Sequence, residues 1–150
     1  AEPDKEAERL ISDYCARAGV TLIHQEGDKA FYRPSNDTIV LPIMSQFAET
    51  AEYYSTAFHE MVHSTGHSNR LNRLTQTAHF GNEEYSKEEL VAEIGASALV
   101  NHAGLETEKS FRNSTAYVQS WLNVLKNDKR FIVSASGKAE KAVELILAGA

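Results

Sequence analysis

Three residues of this chain have the types and spacing needed for metal-dependent chemistry: His59, Glu60 and His63, in the pentapeptide His-Glu-Met-Val-His. Residues i and i+4 of an α-helix lie on one face, so both imidazoles can point at the same ion. The carboxylate between them then stands beside the position left for water, where a general base belongs. The pattern is typical of zinc hydrolases, although two histidines on one helix face also occur as simple packing or capping residues.

A catalytic zinc site generally has three protein ligands, and the carboxylates Glu89 and Glu93 are the strongest candidates for the third. They stand four residues apart on a predicted helix, so they share one face and repel each other unless a cation lies nearby. We assign Glu89 to the metal and Glu93 to a hydrogen bond from a ligating histidine. In an alternative interpretation, Ser86 begins a capping box in which Glu89 bonds back to the Ser86 amide, and Glu93 becomes the ligand.

His67 is a further ligand candidate, since it follows His63 by only four residues. Gly66 interrupts the helix before it, so a hydrogen-bonding loop histidine is the simpler interpretation. The metzincin pattern requires a histidine six residues after His63, where this chain has Asn69. That class of zinc peptidase is therefore excluded.

The composition indicates one globular domain spanning residues 1–150, because the chain has 150 residues and is 42% hydrophobic. No apolar run approaches the roughly 20 residues that cross a bilayer, so we expect a cytoplasmic protein without membrane contact. The single cysteine, Cys15, excludes a cysteine-rich zinc finger. The net charge of −6 disfavours nucleic-acid binding by this domain.

Periodicity and turn residues predict an α+β fold in which a small three-stranded antiparallel sheet packs against four to five helices. The strands are expected to form a meander, and the irregular segment 64–85 is expected to shape the cleft. The predicted helices are 4–18, 47–63, 86–101, 114–126 and 135–148, and the predicted strands are 20–24, 30–33 and 38–41.

Several separated blocks of the chain resemble the C-terminal zincin-like metallopeptidase domain of the ArdC-type antirestriction proteins, a polyvalent-protein metallopeptidase family. The blocks are AFYRPSNDTIVLP at 30–42, YYSTAFHEMVHSTGHSNRLNRL at 53–74, FGNEEYSKEELVAEIGASAL at 80–99 and AYVQSWLNVLKNDKRFIVSASGKAEKAV at 116–143. The resemblance implies a gluzincin-like zinc site with His59, His63 and Glu89 as ligands and Glu60 as the base. Glu93 then takes the position of the acidic residue four past the ligand.

The family is known from mobile elements, where a single-stranded-DNA-binding domain precedes the peptidase-like one. The resemblance therefore implies that this chain is a C-terminal piece of a longer protein, which would contact single-stranded DNA only through a domain absent from this chain.

The expected activity is hydrolysis of peptide bonds in a protein or peptide substrate by a zinc-activated water. Glu60 would take a proton from the water and pass it to the leaving amine, and the substrate would extend beside strand 38–41. The alternative is a zinc-stabilised protein-interaction module without relevant hydrolysis. Glu60 favours the enzyme, because a structural zinc site is usually closed by four ligands.

Peptide hydrolysis also needs a hydrogen-bond donor for the oxyanion. Four residues are candidates, although each has a simpler interpretation as a core or surface residue: Tyr85, Tyr117, His79 and His102. Tyr117 and Trp121 stand four residues apart, which is more typical of a helix face packed in the core.

Overall fold

The computed structural model describes residues 1–74 and 82–149 and confirms the α+β class. In these ranges the chain forms the helices α1 (Lys5–Ala18), α2 (Thr50–Thr65), α3 (Glu83–His102), α4 (Glu108–Val124) and α5 (Lys129–Leu147). A short 3-10 helix covers Met44–Gln46, and the strands are β1 (Thr21–Gln25), β2 (Phe31–Arg33) and β3 (Thr38–Pro42).

Helix α1 begins and ends where the sequence predicts. The Asp4 side chain accepts a hydrogen bond from the Ala7 amide, and Gly19 ends the helix at a φ of 75°, a conformation that glycine adopts without strain. Its apolar face is buried, and the Tyr14 hydroxyl lies 2.7 Å from Ser64 Oγ. This contact ties α1 to the C-terminal end of α2.

The predicted antiparallel meander is wrong, because the strand order is β1-β3-β2 and β1 runs parallel to β3. Only β2 pairs with β3 in the antiparallel sense. All five residues of β3 are buried, whereas β1 is mostly exposed, so the apolar strand takes the centre of the sheet. Since β3 has a partner on each side, it has no free edge for the extended substrate that the sequence places there.

Helix α3 starts at Glu83, earlier than the predicted Ser86. Asn82 is the N-cap and accepts a hydrogen bond from the Tyr85 amide, while Ser86 lies inside the helix. The Ser86 amide donates to the Asn82 carbonyl at 3.1 Å, which excludes the proposed capping box with Glu89. An asparagine followed by two acidic residues is an equally good N-terminus, which explains the error.

Helices α4 and α5 also begin earlier than predicted. Thr107 forms a capping box with Ser110 at the start of α4, and the Asp128 side chain caps α5. α5 packs on α3 and buries a small-residue face that ends at Ile146. None of the described helices combines the length and apolar character required to cross a membrane.

Candidate metal centre

The structure brings His59, His63 and Glu89 together at the contact between α2 and α3. Glu89 Oε2 lies 3.0 Å from His59 Nε2 and 2.8 Å from His63 Nε2, and the two Nε2 atoms are 3.1 Å apart. Within residues 1–74 and 82–149, these three side chains form the one group of potential metal ligands. The helical spacing that places two histidines on one face therefore meets a carboxylate from the next helix.

Each imidazole also faces a second carboxylate through its other nitrogen. Glu93 Oε1 lies 3.2 Å from His59 Nδ1, in the place that the sequence predicts for it. Glu88 Oε2 lies 2.9 Å from His63 Nδ1, a contact that the sequence does not predict. Such carboxylates hold the Nδ1 proton and leave Nε2 to face an ion.

The electrostatics of this cluster follow from burial and close ion pairing. Burial alone would lower the pKa of both imidazoles, but the hydrogen bonds that His59 donates to Glu89 and Glu93 raise its pKa to about 9. Glu88 and Glu89 likewise raise the pKa of His63 well above its ordinary value. Burial opposes ionisation of both glutamates, yet the histidines hold the pKa of Glu88 and of Glu89 below the usual range. Without a bound ion, the close ion pairing favours the charged forms of these histidines and glutamates.

The donor set fits a divalent ion. Two imidazole nitrogens and one carboxylate oxygen form a combination found in catalytic zinc sites, where tetrahedral ligands about 2.0–2.1 Å from the ion stand about 3.3 Å apart. The three donors are 2.8–3.1 Å from one another. An ion therefore needs only a slight widening of the cluster.

Glu60 lies beside these ligands and is not one of them. It is 7% exposed and lines two open clefts, of about 380 Å³ and about 360 Å³, the first shared with His59 and the second with His63 and Glu89. Burial is the main reason that its pKa is raised above the ordinary value, and His63 and His59 oppose the shift. A carboxylate in these surroundings binds a proton more tightly than an ordinary glutamate, as a general base working at neutral pH must.

The two clefts differ in chemistry. The larger one contains His59 and Glu93 and is otherwise polar, with Glu49, Glu52, Ser55, Thr56, Ser110, Asn113, Ser114 and Tyr117. The smaller one contains His63 and Glu89 and has an apolar wall formed by Ala30, Phe31, Tyr32, Pro34 and Leu74. A chain lying across Glu60 would contact both clefts.

The candidates for an oxyanion donor lie at different distances from the ligand group. The Tyr85 hydroxyl donates to Glu89 Oε1 at 3.0 Å, and its ring packs edge to face on Trp121. Tyr117 is 59% exposed and lines the larger cleft, so its interpretation as a core residue is wrong. His102 ends α3, about 20 Å along the helix from Glu89 at 1.5 Å per residue. His79 lies outside the described residues.

His67 lies in the turn after α2, where its Nδ1 accepts a hydrogen bond from the Asn69 amide at 3.0 Å. This contact agrees with the simpler interpretation of His67 as a hydrogen-bonding loop histidine.

The chain is similar to several known proteins. Over 134 residues, or 89% of the chain, it is 45% identical to the DNA primase TraC of Escherichia coli, and the match covers 12% of TraC. It is 32% identical over 141 residues to the uncharacterized protein y4eC of Sinorhizobium fredii, covering 93% of the chain and 45% of y4eC. The chain thus spans less than half of either protein.

The fold is also that of a solved structure. The Mn(II)-bound crystal structure of the antirestriction protein ArdC from the R388 plasmid matches with a TM-score of 0.74 and 36% identity. The match covers 98% of this chain and 52% of ArdC, and metal-free ArdC gives a TM-score of 0.69. Residues 5–138 match the model of the zincin-like metallopeptidase family. The family resemblance read from the sequence is confirmed, and the chain belongs to the zincin-like metallopeptidases.

Proposed function

We propose that this domain hydrolyses peptide bonds with a divalent metal ion, zinc, held by His59, His63 and Glu89. The observation that carries the proposal is the position of Glu60, a buried carboxylate next to the three convergent donors and at the junction of two open clefts. A metal that only stabilised the fold would not need a base between two clefts.

The ion's contribution is Lewis acidity, which lowers the pKa of a coordinated water toward about 7 and polarises the peptide carbonyl. Zinc is favoured over harder ions because two of the three donors are imidazole nitrogens. His59 and His63 offer these donors from successive turns of α2, a rigid element packed in the core.

Glu60 performs the proton transfers. It accepts a proton from the attacking water and delivers it to the leaving amine nitrogen, so one carboxylate serves as base and then as acid. Burial raises its pKa, which increases its affinity for the proton that it must hold between the two steps.

In this proposal, Tyr85 stabilises the developing oxyanion. Burial and the neighbouring Glu89 raise the pKa of its hydroxyl, so Tyr85 keeps its proton at neutral pH and remains a donor. Its hydroxyl already lies within hydrogen-bond distance of Glu89, next to the reacting centre.

The substrate is an extended peptide that pairs with β2. This strand is at an edge of the sheet, and Phe31 and Tyr32 line the smaller cleft together with Glu60. Main-chain hydrogen bonds to an edge strand bind extended peptides with little sequence preference.

The structural relative supports a proposal for the biological setting. ArdC is named as an antirestriction protein of a plasmid, and we extend that role to the longer protein that would contain this domain. In this proposal, single-stranded DNA is contacted only by another part of that protein.

The proposal is tested by measuring zinc per chain and cleavage of denatured casein and of a pool of internally quenched peptides. We expect Glu60→Gln to retain zinc and to lose about 100-fold or more of the cleavage rate. Glu89→Ala should lose zinc and activity together. Glu140→Gln, which removes an exposed carboxylate from α5, is the matched control and should change neither.

Two results would contradict the proposal. Unchanged cleavage by Glu60→Gln removes the general base. Zinc binding by the wild type without cleavage of either substrate favours the interaction module instead.

A further inference from the structure

The guanidinium of Arg73 joins the two helices that carry the metal-ligand candidates. Arg73 Nε donates to Glu88 Oε1 at 3.0 Å, and Nη2 donates to Glu88 Oε2 at 3.1 Å, so the pair is bidentate. The side chains of Arg73 and Glu88 are only 8% and 14% exposed. An ion pair of this geometry, shielded from water, holds both partners in one orientation.

The same guanidinium binds the C-terminal turn of α2. Nη2 donates to the Val62 carbonyl at 2.7 Å, and Nη1 donates to Thr65 Oγ1 at 2.8 Å. A cation at this end of a helix meets carbonyls that lack a backbone partner within the helix. Arg73 thus fixes Glu88 of α3 against the turn of α2 that presents His63.

Glu88, held in place by Arg73, in turn contacts His63. Its Oε2 atom accepts from Arg73 and also lies 2.9 Å from His63 Nδ1. We propose that Arg73 and Glu88 are positioning residues that set the tautomer and ring orientation of His63, so that its Nε2 atom is presented to the metal. The inference rests on the proposed metal site and adds to it a residue from the connection between α2 and α3.

Arg70 provides a built-in comparison. It lies in the same connection, is 9% exposed, and donates to the Ser64 carbonyl at the end of α2. Its carboxylate partner is Asp37, next to the sheet and outside the ligand group. Both arginines therefore bind carbonyls at the end of α2. Of the two, Arg73 is the one whose carboxylate partner also contacts a histidine of the candidate metal site.

Gly66 gives a second way to disturb Arg73 without removing any polar group. A Cβ atom at this position would lie 3.0 Å from Leu74 Cγ and 3.1 Å from Arg73 Nη2. Gly66→Ala should therefore push the guanidinium away from its partners while leaving every donor and acceptor in the chain.

The test measures Zn²⁺ affinity by competition with a fluorescent chelator, together with the visible absorption spectrum of the Co²⁺-loaded protein. We expect Arg73→Lys and Glu88→Gln to weaken Zn²⁺ binding about 10- to 100-fold and to alter the Co²⁺ bands. Gly66→Ala should act in the same direction. Arg70→Lys should lower the thermal midpoint and leave both metal readouts unchanged.

The outcomes separate the inference from the metal site itself. Wild-type affinity and spectrum in Arg73→Lys and Glu88→Gln, or an equal loss in Arg70→Lys, overturn the positioning role. If the wild type binds no stoichiometric Zn²⁺, or if His59→Ala binds Zn²⁺ as tightly as the wild type does, the proposed metal site itself is contradicted, and the positioning role with it. Should Arg73→Lys not fold, Glu88→Gln and Gly66→Ala decide the question by the same readouts.

Discussion

Gly95 of α3 lies so close to Val62 of α2 that a Cβ atom on the glycine would stand 2.8 Å from Val62 Cγ2. Val62 is fully buried and precedes His63, while Gly95 follows Glu93 by two residues. This close approach of the two helices allows a carboxylate from one to reach two imidazoles of the other. The glycine is thus required by the spacing of the metal centre.

We therefore predict that Gly95→Ala destabilises the fold and weakens metal binding. Val62 is β-branched and restricted in rotamer, so the added methyl must separate the helices. Overpacking of this kind costs about 1–3 kcal/mol, which better helix propensity offsets by about 1 kcal/mol. Chemical denaturation and Zn²⁺ competition measure the two effects.

Gly137→Ala is the matched control, because Gly137 lies inside α5 and, among the described residues, no other packed group lies within 4 Å of an added Cβ. This variant should gain up to about 1 kcal/mol of stability from helix propensity and bind metal as the wild type does. Equal behaviour of the two alanine variants would show that the contact with Val62 does not set the helix separation.

A second prediction concerns pH. In the metal-free protein, burial would lower the pKa of His59, but the hydrogen bonds that it donates to Glu89 and Glu93 outweigh this effect and raise the pKa to about 9. At pH 7 this imidazole is therefore protonated, and an ion must displace that proton. Zn²⁺ affinity should rise about tenfold per pH unit for each proton released, and the rise should continue above pH 7.

Calorimetric titration in buffers of different ionisation enthalpy counts the protons directly. If the imidazole had its ordinary pKa of 6.5, proton release would be nearly complete below pH 7.5. A flat affinity between pH 7.5 and about pH 8.5, after correction for zinc hydrolysis, would contradict the raised pKa.

A third prediction addresses the choice of metal. The related ArdC structure holds Mn(II), yet a site with two imidazole donors should follow the usual order of divalent affinities and prefer Zn²⁺. Adding one equivalent of Zn²⁺ to the Mn²⁺-loaded domain should release the manganese, seen as the sharp electron paramagnetic resonance signal of the free ion. Mg²⁺ serves as the control and should release none.

Retention of Mn²⁺ in the presence of Zn²⁺ would mean that oxygen donors dominate the site. Glu88 or Glu93 would then have to leave its histidine and bind the ion.

A fourth prediction locates the substrate. A non-hydrolysable phosphinic peptide should slow amide hydrogen exchange in β2, Phe31–Arg33, because an added strand protects the edge that it covers. The central strand β3 is already paired on both sides and should change little. Protection of β1 without β2 would place the peptide on the opposite edge, away from Glu60.

The local elements of this fold were predictable because their signals lie close together in the chain. Asp4 and Gly19 mark the ends of α1, and the spacing of His59 and His63 places both on one face of α2. The strand order was not predictable in the same way. It depends on β3 burying all of its residues, and the turn residues between strands do not report that burial.

The candidate metal centre also combines residues that the sequence predicts with residues that only the packing of the helices shows. Glu89 could be nominated from its spacing to Glu93, because a shared helix face is a property of sequence. Glu88 could not be nominated in this way, because adjacent residues of a helix usually point about 100° apart and Glu89 already faces the metal ligands. Its contact with His63 becomes visible only when the two helices are packed together. The available signals were Arg70 and Arg73, two cations without an assigned role in the connection that follows α2.

Every side chain placed at the metal centre lies in the single stretch 59–93, from the first histidine to Glu93. The relatives that contain this domain differ widely in total length, since it fills half of ArdC and a small fraction of TraC. A single contiguous segment therefore encodes all of the candidate ligands, although two different helices present them.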